Sequence, residues 1–104
     1  MEPLTHVEEI EDSIIIYVDL PFVRKEDISI YLRGRLLEIS AVTKVSVEKF
    51  NFGVFHRREE MKKFRKVFSL PYEVEPHSAK AKYQNGILKI TLKKKVKREE
   101  IKVR

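Results

Sequence analysis

Residues 79–92 read Ala-Lys-Ala-Lys-Tyr-Gln-Asn-Gly-Ile-Leu-Lys-Ile-Thr-Leu, and this stretch limits the fold more than any other. Apolar and polar residues alternate on both sides of Asn85-Gly86. Side chains with a period of two line one face of a strand, not of a helix. An Asn-Gly pair between such runs forms a tight hairpin, because a type I′ turn needs positive φ at both central residues. Residues 79–83 are therefore expected to pair with residues 87–92.

The rest of the chain repeats the theme. Ser13 to Asp19 is β-branched almost throughout and lies between Asp12 and Pro21. It reads as a strand buried on both faces or nearly so. Ile28, Ile30 and Leu32 alternate with Ser29, Tyr31 and Arg33, then Arg33-Gly34-Arg35 turns into residues 36–42. Leu37, Ile39 and Ala41 share one face of that second strand. Residues 62–70 alternate again, with Phe64, Lys66, Phe68 and Leu70 on one side, and Pro71 stops the strand. Residues 24–28 allow one helical turn, and residues 72–78, with Pro76, read as a loop. Short strands at this spacing predict an all-β, immunoglobulin-like sandwich of two antiparallel sheets.

Length and composition narrow the function. A chain of 104 residues makes one domain, and 42% hydrophobic residues suffice for a core. No run approaches a membrane span, and the start Met-Glu-Pro-Leu-Thr-His has no signal-peptide pattern. The absence of Cys removes disulfides, Cys-based zinc sites and thiol chemistry, and a cytoplasmic location is expected. Abundant Lys and Glu with few amides is a thermophile-like balance. Charge is segregated: residues 1–12 carry five acids and no base, whereas residues 93–104 carry seven bases and two acids. A basic tail raises nucleic acid or anionic lipid as partners, but a Lys run after an apolar strand commonly solubilises the strand end. Neither nucleic acid nor membrane is expected as a partner.

Catalytic chemistry is missing from the pattern. His6, His56 and His77 lie far apart without metal-ligand spacing. The Gly residues at 34, 53 and 86 each stand alone in turns or loops, not in a phosphate-binding loop. No Ser has a nucleophile-elbow context, and the adjacent carboxylates sit at charged surface positions. No enzyme, metal or cofactor is expected.

Two segments need separate explanation. Residues 43–61 would make a long connection, yet they hold Val45, Val47, Phe50, Phe52, Val54 and Phe55. So apolar a loop would aggregate unless covered. An extra strand over residues 45–55, pairing with its own sheet edge or with another subunit, resolves this; another subunit is the preferred reading. Past Leu92, a charged run leads to Ile101-Lys102-Val103, whose two apolar residues point to the same side of an extended strand. At ~3.3 Å per residue the tail reaches ~30 Å, about a domain diameter. Residue types alone leave open whether it is a two-pronged anchor or a frayed terminus.

Three segments in order resemble the small heat-shock proteins, the α-crystallin domain family, over roughly residues 4–103. Tyr17-Val18-Asp19-Leu20-Pro21 with Glu26-Asp27-Ile28 looks like the family's Val-Asp-Leu-Pro and Asp-Ile segment. Phe64-x-x-x-Phe68-x-Leu70-Pro71 looks like its Phe-x-Arg-x-Phe-x-Leu-Pro strand. Ala81-x-x-x-Asn85-Gly86-Ile87-Leu88 looks like its Ala-x-x-x-Asn-Gly-Val-Leu signature. The resemblance implies an α-crystallin domain over residues 1–92 and a C-terminal extension over residues 93–104. It implies homodimers, with higher oligomers built through the tail, and ATP-independent holding of unfolded client proteins. Residues 45–55 would be the protruding loop strand that crosses to the partner's first strand, residues 4–10. Ile101 and Val103 would be the anchor. The groove that receives the anchor, or a client, would lie between two edge strands and involve Ile28, Ile30, Leu32, Ala79, Ala81 and Tyr83.

The chain departs from the family pattern in four places. Lys66 replaces the Arg of Phe-x-Arg, keeping the charge but not the bidentate fork. Phe22 stands where the family usually has Gly, and Lys93 where it has Pro. About three residues precede the first expected strand, where the family carries an N-terminal arm. A trimmed or armless member is expected to assemble less and hold clients less strongly. The other readings are a CS-type co-chaperone adaptor or armless assembly partner, and a basic nucleic-acid module using Phe50, Phe52 and Phe55 beside Lys49, Arg57 and Arg58.

Overall fold

Four two-residue turns organise the chain: Glu11-Asp12, Gly34-Arg35, Phe52-Gly53 and Asn85-Gly86. Each holds at least one residue at positive φ, and both residues do so in Phe52-Gly53 (49° and 74°) and Asn85-Gly86 (53° and 76°). That is the signature of primed hairpin turns, whose twist matches the flanking strands. The structure is a computed structural model that describes residues 3–95 and 101–104. The strands are β1 (Thr5–Ile10), β2 (Ser13–Asp19), β3 (Ile28–Arg33), β4 (Leu36–Asn51), β5 (Val54–Ser69), β6 (Lys80–Gln84) and β7 (Ile87–Lys93). They form two antiparallel sheets, ordered β1-β2-β7-β6 and β3-β4-β5. Single 3-10 turns at Lys25–Asp27 and Pro76–Ser78 lie on the two crossings between sheets.

The core lies between the sheets and follows the alternation. Ile14, Ile16 and Val18 of β2, with Leu88, Ile90 and Leu92 of β7, face Leu37, Ile39 and Ala41 of β4, and all are buried. Phe64 and Leu70 close the core from the β5 side and Val23 and Val74 from the crossings. Each large side chain so buried contributes ~1.5–3 kcal/mol. The strand Ser13–Asp19 is fully buried on one face only; Ser13, Ile15 and Tyr17 on its other face are half-buried. β2 carries three consecutive isoleucines, and a sheet face with no layer over it can still half-cover such side chains by neighbour packing.

Residues 43–61 differ from the expected connection with one extra strand over 45–55: within the chain they pair with each other. β4 and β5 each run for 16 residues, and their ladder is unbroken from Leu36↔Ser69 to Asn51↔Val54. Residues 45–55 are thus both arms and the turn of one long hairpin, not a single loop strand. The turn was concealed in the sequence because Phe52, a poor residue for positive φ, precedes Gly53. Each arm is about 50 Å long. Only its first half packs on the core: burial along β4 ends at Thr43, whose hydroxyl donates to the Phe22 carbonyl at 2.6 Å.

Backbone bonds fix the start of the C-terminal segment. The Lys94 N–H donates to the Asp12 carbonyl (2.6 Å), that of Lys95 to Glu73 (2.9 Å) and that of Glu75 to Lys93 (2.8 Å).

Candidate assembly and client-binding surfaces

β3 and β6 are edge strands of different sheets, so the gap between them opens along the side of the sandwich. Alanines at the β6 edge keep it open. A groove of about 250 Å³ runs there, lined by Ile30 and Leu32 on one wall and by Ala79, Ala81 and Pro76 on the other. Leu37, Ile90 and Leu92 contribute to the same lining, with Lys80 as its charged member. Four of the six expected groove residues come together in this way. Ile28 packs against the core, outside the lining, and Tyr83 turns its hydroxyl to the Leu20 carbonyl at 2.6 Å. Sequence reasoning missed Leu37, Ile90 and Leu92. They read as core residues, and they are: the groove reaches the core itself.

Such a groove suits extended apolar segments. Two apolar prongs two residues apart can enter while their backbone runs between two strand edges with unpaired N–H and C=O groups. Ile101 and Val103 are strongly exposed, and Ile101–Arg104 has no regular secondary structure.

Further exposed apolar residues lie on β1 and, separately, on the far half of the hairpin. β1 pairs only with β2, so its outer edge is open, and Leu4, Val7 and Ile10 are exposed along it. On the hairpin, Val45 and Val47 are half-buried, whereas Phe50, Phe52, Val54 and Phe55 are exposed. Phe50 and Phe55 stand opposite each other across the ladder.

Tyr72 stands out for its surroundings. Burial, and secondarily the carboxylates of Glu9 and Asp12, push its hydroxyl above the usual tyrosine range. That hydroxyl is buried without a hydrogen-bond partner, and the ring carries the Lys94 ammonium 5.0 Å from its centre. Among the described residues, no three His, Cys, Asp or Glu side chains gather as metal ligands would. No described helix is long and apolar enough to cross a membrane.

The comparison that decides the family covers nearly the whole chain. Residues 6–104 match the profile of the Hsp20/alpha crystallin family. The chain belongs to this family. Among its relatives, a 22.7 kDa class IV heat shock protein of Pisum sativum is 37% identical over 89 residues, covering 84% of this chain and 45% of that one. A 17.8 kDa class I heat shock protein of Solanum lycopersicum is 34% identical over 98 residues, covering 91% and 63%. The small heat shock protein C2 of Rickettsia felis is 29% identical over 93 residues, covering 89% and 60%. The chain therefore spans less than two thirds of the length of these relatives. Among solved structures, heat shock protein 16.0 of Schizosaccharomyces pombe superposes with a TM-score of 0.72 at 23% identity, covering 100% of this chain and 76% of that one. HSP18.5 from E. histolytica gives 0.73 at 20%, covering 99% and 97%. These two likenesses establish the small heat-shock sandwich fold. Proteins of the Hsp20 family are generally non-enzymatic chaperones that form dimers and oligomers.

Proposed function

We propose that this small heat-shock chain is an ATP-independent holdase that takes up partly unfolded clients through the β3–β6 groove and its exposed strand edges. The open groove lined by Ile30, Leu32, Ala79 and Ala81 carries the reading. Unfolding chains expose extended apolar segments, and this groove offers apolar walls between two unpaired strand edges. Burying Ile101 and Val103 there would contribute ~1.5–3 kcal/mol each before ordering costs. A single tail is thus a weak, exchangeable plug, and many tails in a closed oligomer gain avidity. A heated client then competes with the tail for one site.

In the same reading the chain is a homodimer, with the hairpin of one copy lying on β1 of the other. That contact covers Phe50, Val54 and Phe55 together with Val7 and Ile10, all exposed in the single chain. The related small heat-shock protein of Xylella fastidiosa, with a TM-score of 0.69 and 20% identity, forms a distinct high order structure; it covers 98% of this chain and 94% of that one. In this reading the C-terminal extension begins not at residue 93 but past the backbone bonds that hold Lys93, Lys94 and Lys95 to the domain, and a cytoplasmic location fits a chain without Cys.

The test is light scattering from a heat-labile client, with and without this chain, in the absence of ATP. Suppressed scattering is expected. Unchanged scattering at a severalfold molar excess would overturn the holdase reading and leave an assembly partner.

A further inference from the structure

We propose that charge pairing selects the partner at the hairpin: the basic end of one hairpin docks on the acidic first strand of a second copy. This rests on the dimer reading above, and it adds what that reading lacks, a reason for the hairpin to accept its own kind.

Two surfaces of opposite sign carry the argument. From Lys49 to Arg58 the hairpin end holds Lys49, Arg57 and Arg58 with His56 beside them; the acids Glu48, opposite Arg57, and Glu59 bound this stretch. Around β1 the acids Glu8, Glu9, Glu11 and Asp12 fall within five consecutive positions, again without a base. The hairpin end and β1 each leave an edge open for pairing. Few of these charges are spent within the chain. Glu8 meets His6 at 3.1 Å and Arg58 meets Glu60 at 2.6 Å. Among the described residues, no ion pair engages Glu9, Glu11, Asp12, Lys49 or Arg57.

The pattern matches face by face. On β1, Val7 and Glu9 stand opposite the core-facing Ile16 and Ile14, whereas Glu8 and Ile10 stand opposite Ile15 and Ser13 on the other side. Each face of β1 therefore offers one apolar residue and one acid. On β5, Val54, His56 and Arg58 share one face and Phe55 and Arg57 the other. Each face of the hairpin end offers apolar residues and bases. An antiparallel register that sets Phe55 opposite Ile10 also sets Arg57 opposite Glu8 and His56 opposite Glu9.

A like-charged combination is repelled, which is how charge discriminates among related partners. A chain whose first strand is not acidic gains no ion pairs from this hairpin, and one whose first strand is basic is rejected by it.

The experiment uses the full chain and sedimentation velocity. For the unmodified protein, raising NaCl from about 0.05 M to about 0.5 M should weaken dimerisation by about tenfold or more, because exposed charges are screened within a few ångströms at the higher salt. Dimers of equal strength at both salts would overturn the proposal. The double variants Glu8→Lys/Glu9→Lys and Arg57→Glu/Arg58→Glu should each sediment as monomers with unchanged circular dichroism. Mixed in equal amounts they should recover the dimer, because both contacts of the mixed pair are again of opposite sign. Either variant remaining dimeric alone, or the mixture remaining monomeric, would overturn it. The neutral pair Glu8→Gln/Glu9→Gln repeats the first arm should the lysine variant fail to fold.

Phe50→Asp separates this proposal from the reading beneath it. Its loss of the dimer, alongside salt-insensitive dimers of the unmodified chain, would keep the hairpin contact and remove the role of charge. A dimer that survives Phe50→Asp would remove the contact itself. An unmodified chain that is monomeric at low salt yet binds a single-stranded oligonucleotide would overturn both in favour of a polyanion.

Discussion

The hydroxyl of Tyr83 donates a 2.6 Å hydrogen bond to the carbonyl oxygen of Leu20, tying edge strand β6 to the corner where the chain leaves β2. The same corner is held by the Leu20 N–H on the Gly86 carbonyl at 2.8 Å. Tyr83 is therefore a brace and not a groove wall. Tyr83→Phe should cost about 1 kcal/mol of stability, the usual net worth of one such bond. A urea melt should show a lower midpoint with an unchanged slope, while client holding at low temperature stays as it was.

Phe22 sits at φ 61° with 92% of its surface exposed, at the position where the family usually carries Gly. The left-handed region costs a residue with a Cβ roughly 1–2 kcal/mol. Its strain persists because Thr43 holds its carbonyl in place. Phe22→Gly removes that strain but loosens the unfolded chain, so a small net gain of up to about 1 kcal/mol is expected by thermal melting. Loss of client holding in the same variant would assign the exposed ring a binding role.

Ile101→Ala with Val103→Ala should lower the oligomer order without changing the melting temperature. Both side chains are exposed, so their truncation leaves the core intact. The sedimentation profile checks this; an unchanged distribution would count against the anchor.

Tyr72 gives the chain an alkaline sensitivity. Its hydroxyl is buried without a partner, and its pKa is raised by that burial and by Glu9 and Asp12. The protonated form is the one the fold favours. Its contribution is complete below the ordinary tyrosine value of about 10 and is lost as pH rises through the raised folded value. Tyr72→Phe keeps the ring beneath Lys94. It should be neutral to stabilising by about 1 kcal/mol at pH 7, since an unsatisfied buried group is removed. Its melting temperature should also fall less than that of the unmodified chain between about pH 9 and about pH 11.

Much of the sandwich was legible because alternation reports directly on burial. Leu37, Ile39 and Ala41 share a face in the sequence and are buried together in the structure. Asn85-Gly86 forms the turn its chemistry demands. The long hairpin was not legible as such. Its far half has no core to report, so Val45 and Val47 alternate there without revealing which strand they pair with. Phe52 hides the turn because a positive φ is unusual for an aromatic residue. In the groove, Ile30, Leu32, Ala79 and Ala81 were identifiable as residues of two edge strands. Its deeper members were not, since a core side chain and one exposed through an opening follow the same alternation.

The order of the four-stranded sheet has a consequence for how the chain is made. β2 lies between β1 and β7, and its register with β7 joins Ser13 to Lys93. β2 is thus made well before the strand that completes its pairing. Until residue 93 has emerged, the first sheet has only the β1–β2 hairpin, and an isolated hairpin is marginal in water. While residues 20–92 are being made, β2 therefore lacks its β7 neighbour, and for that interval its isoleucine-rich edge is the kind of segment that chaperones bind.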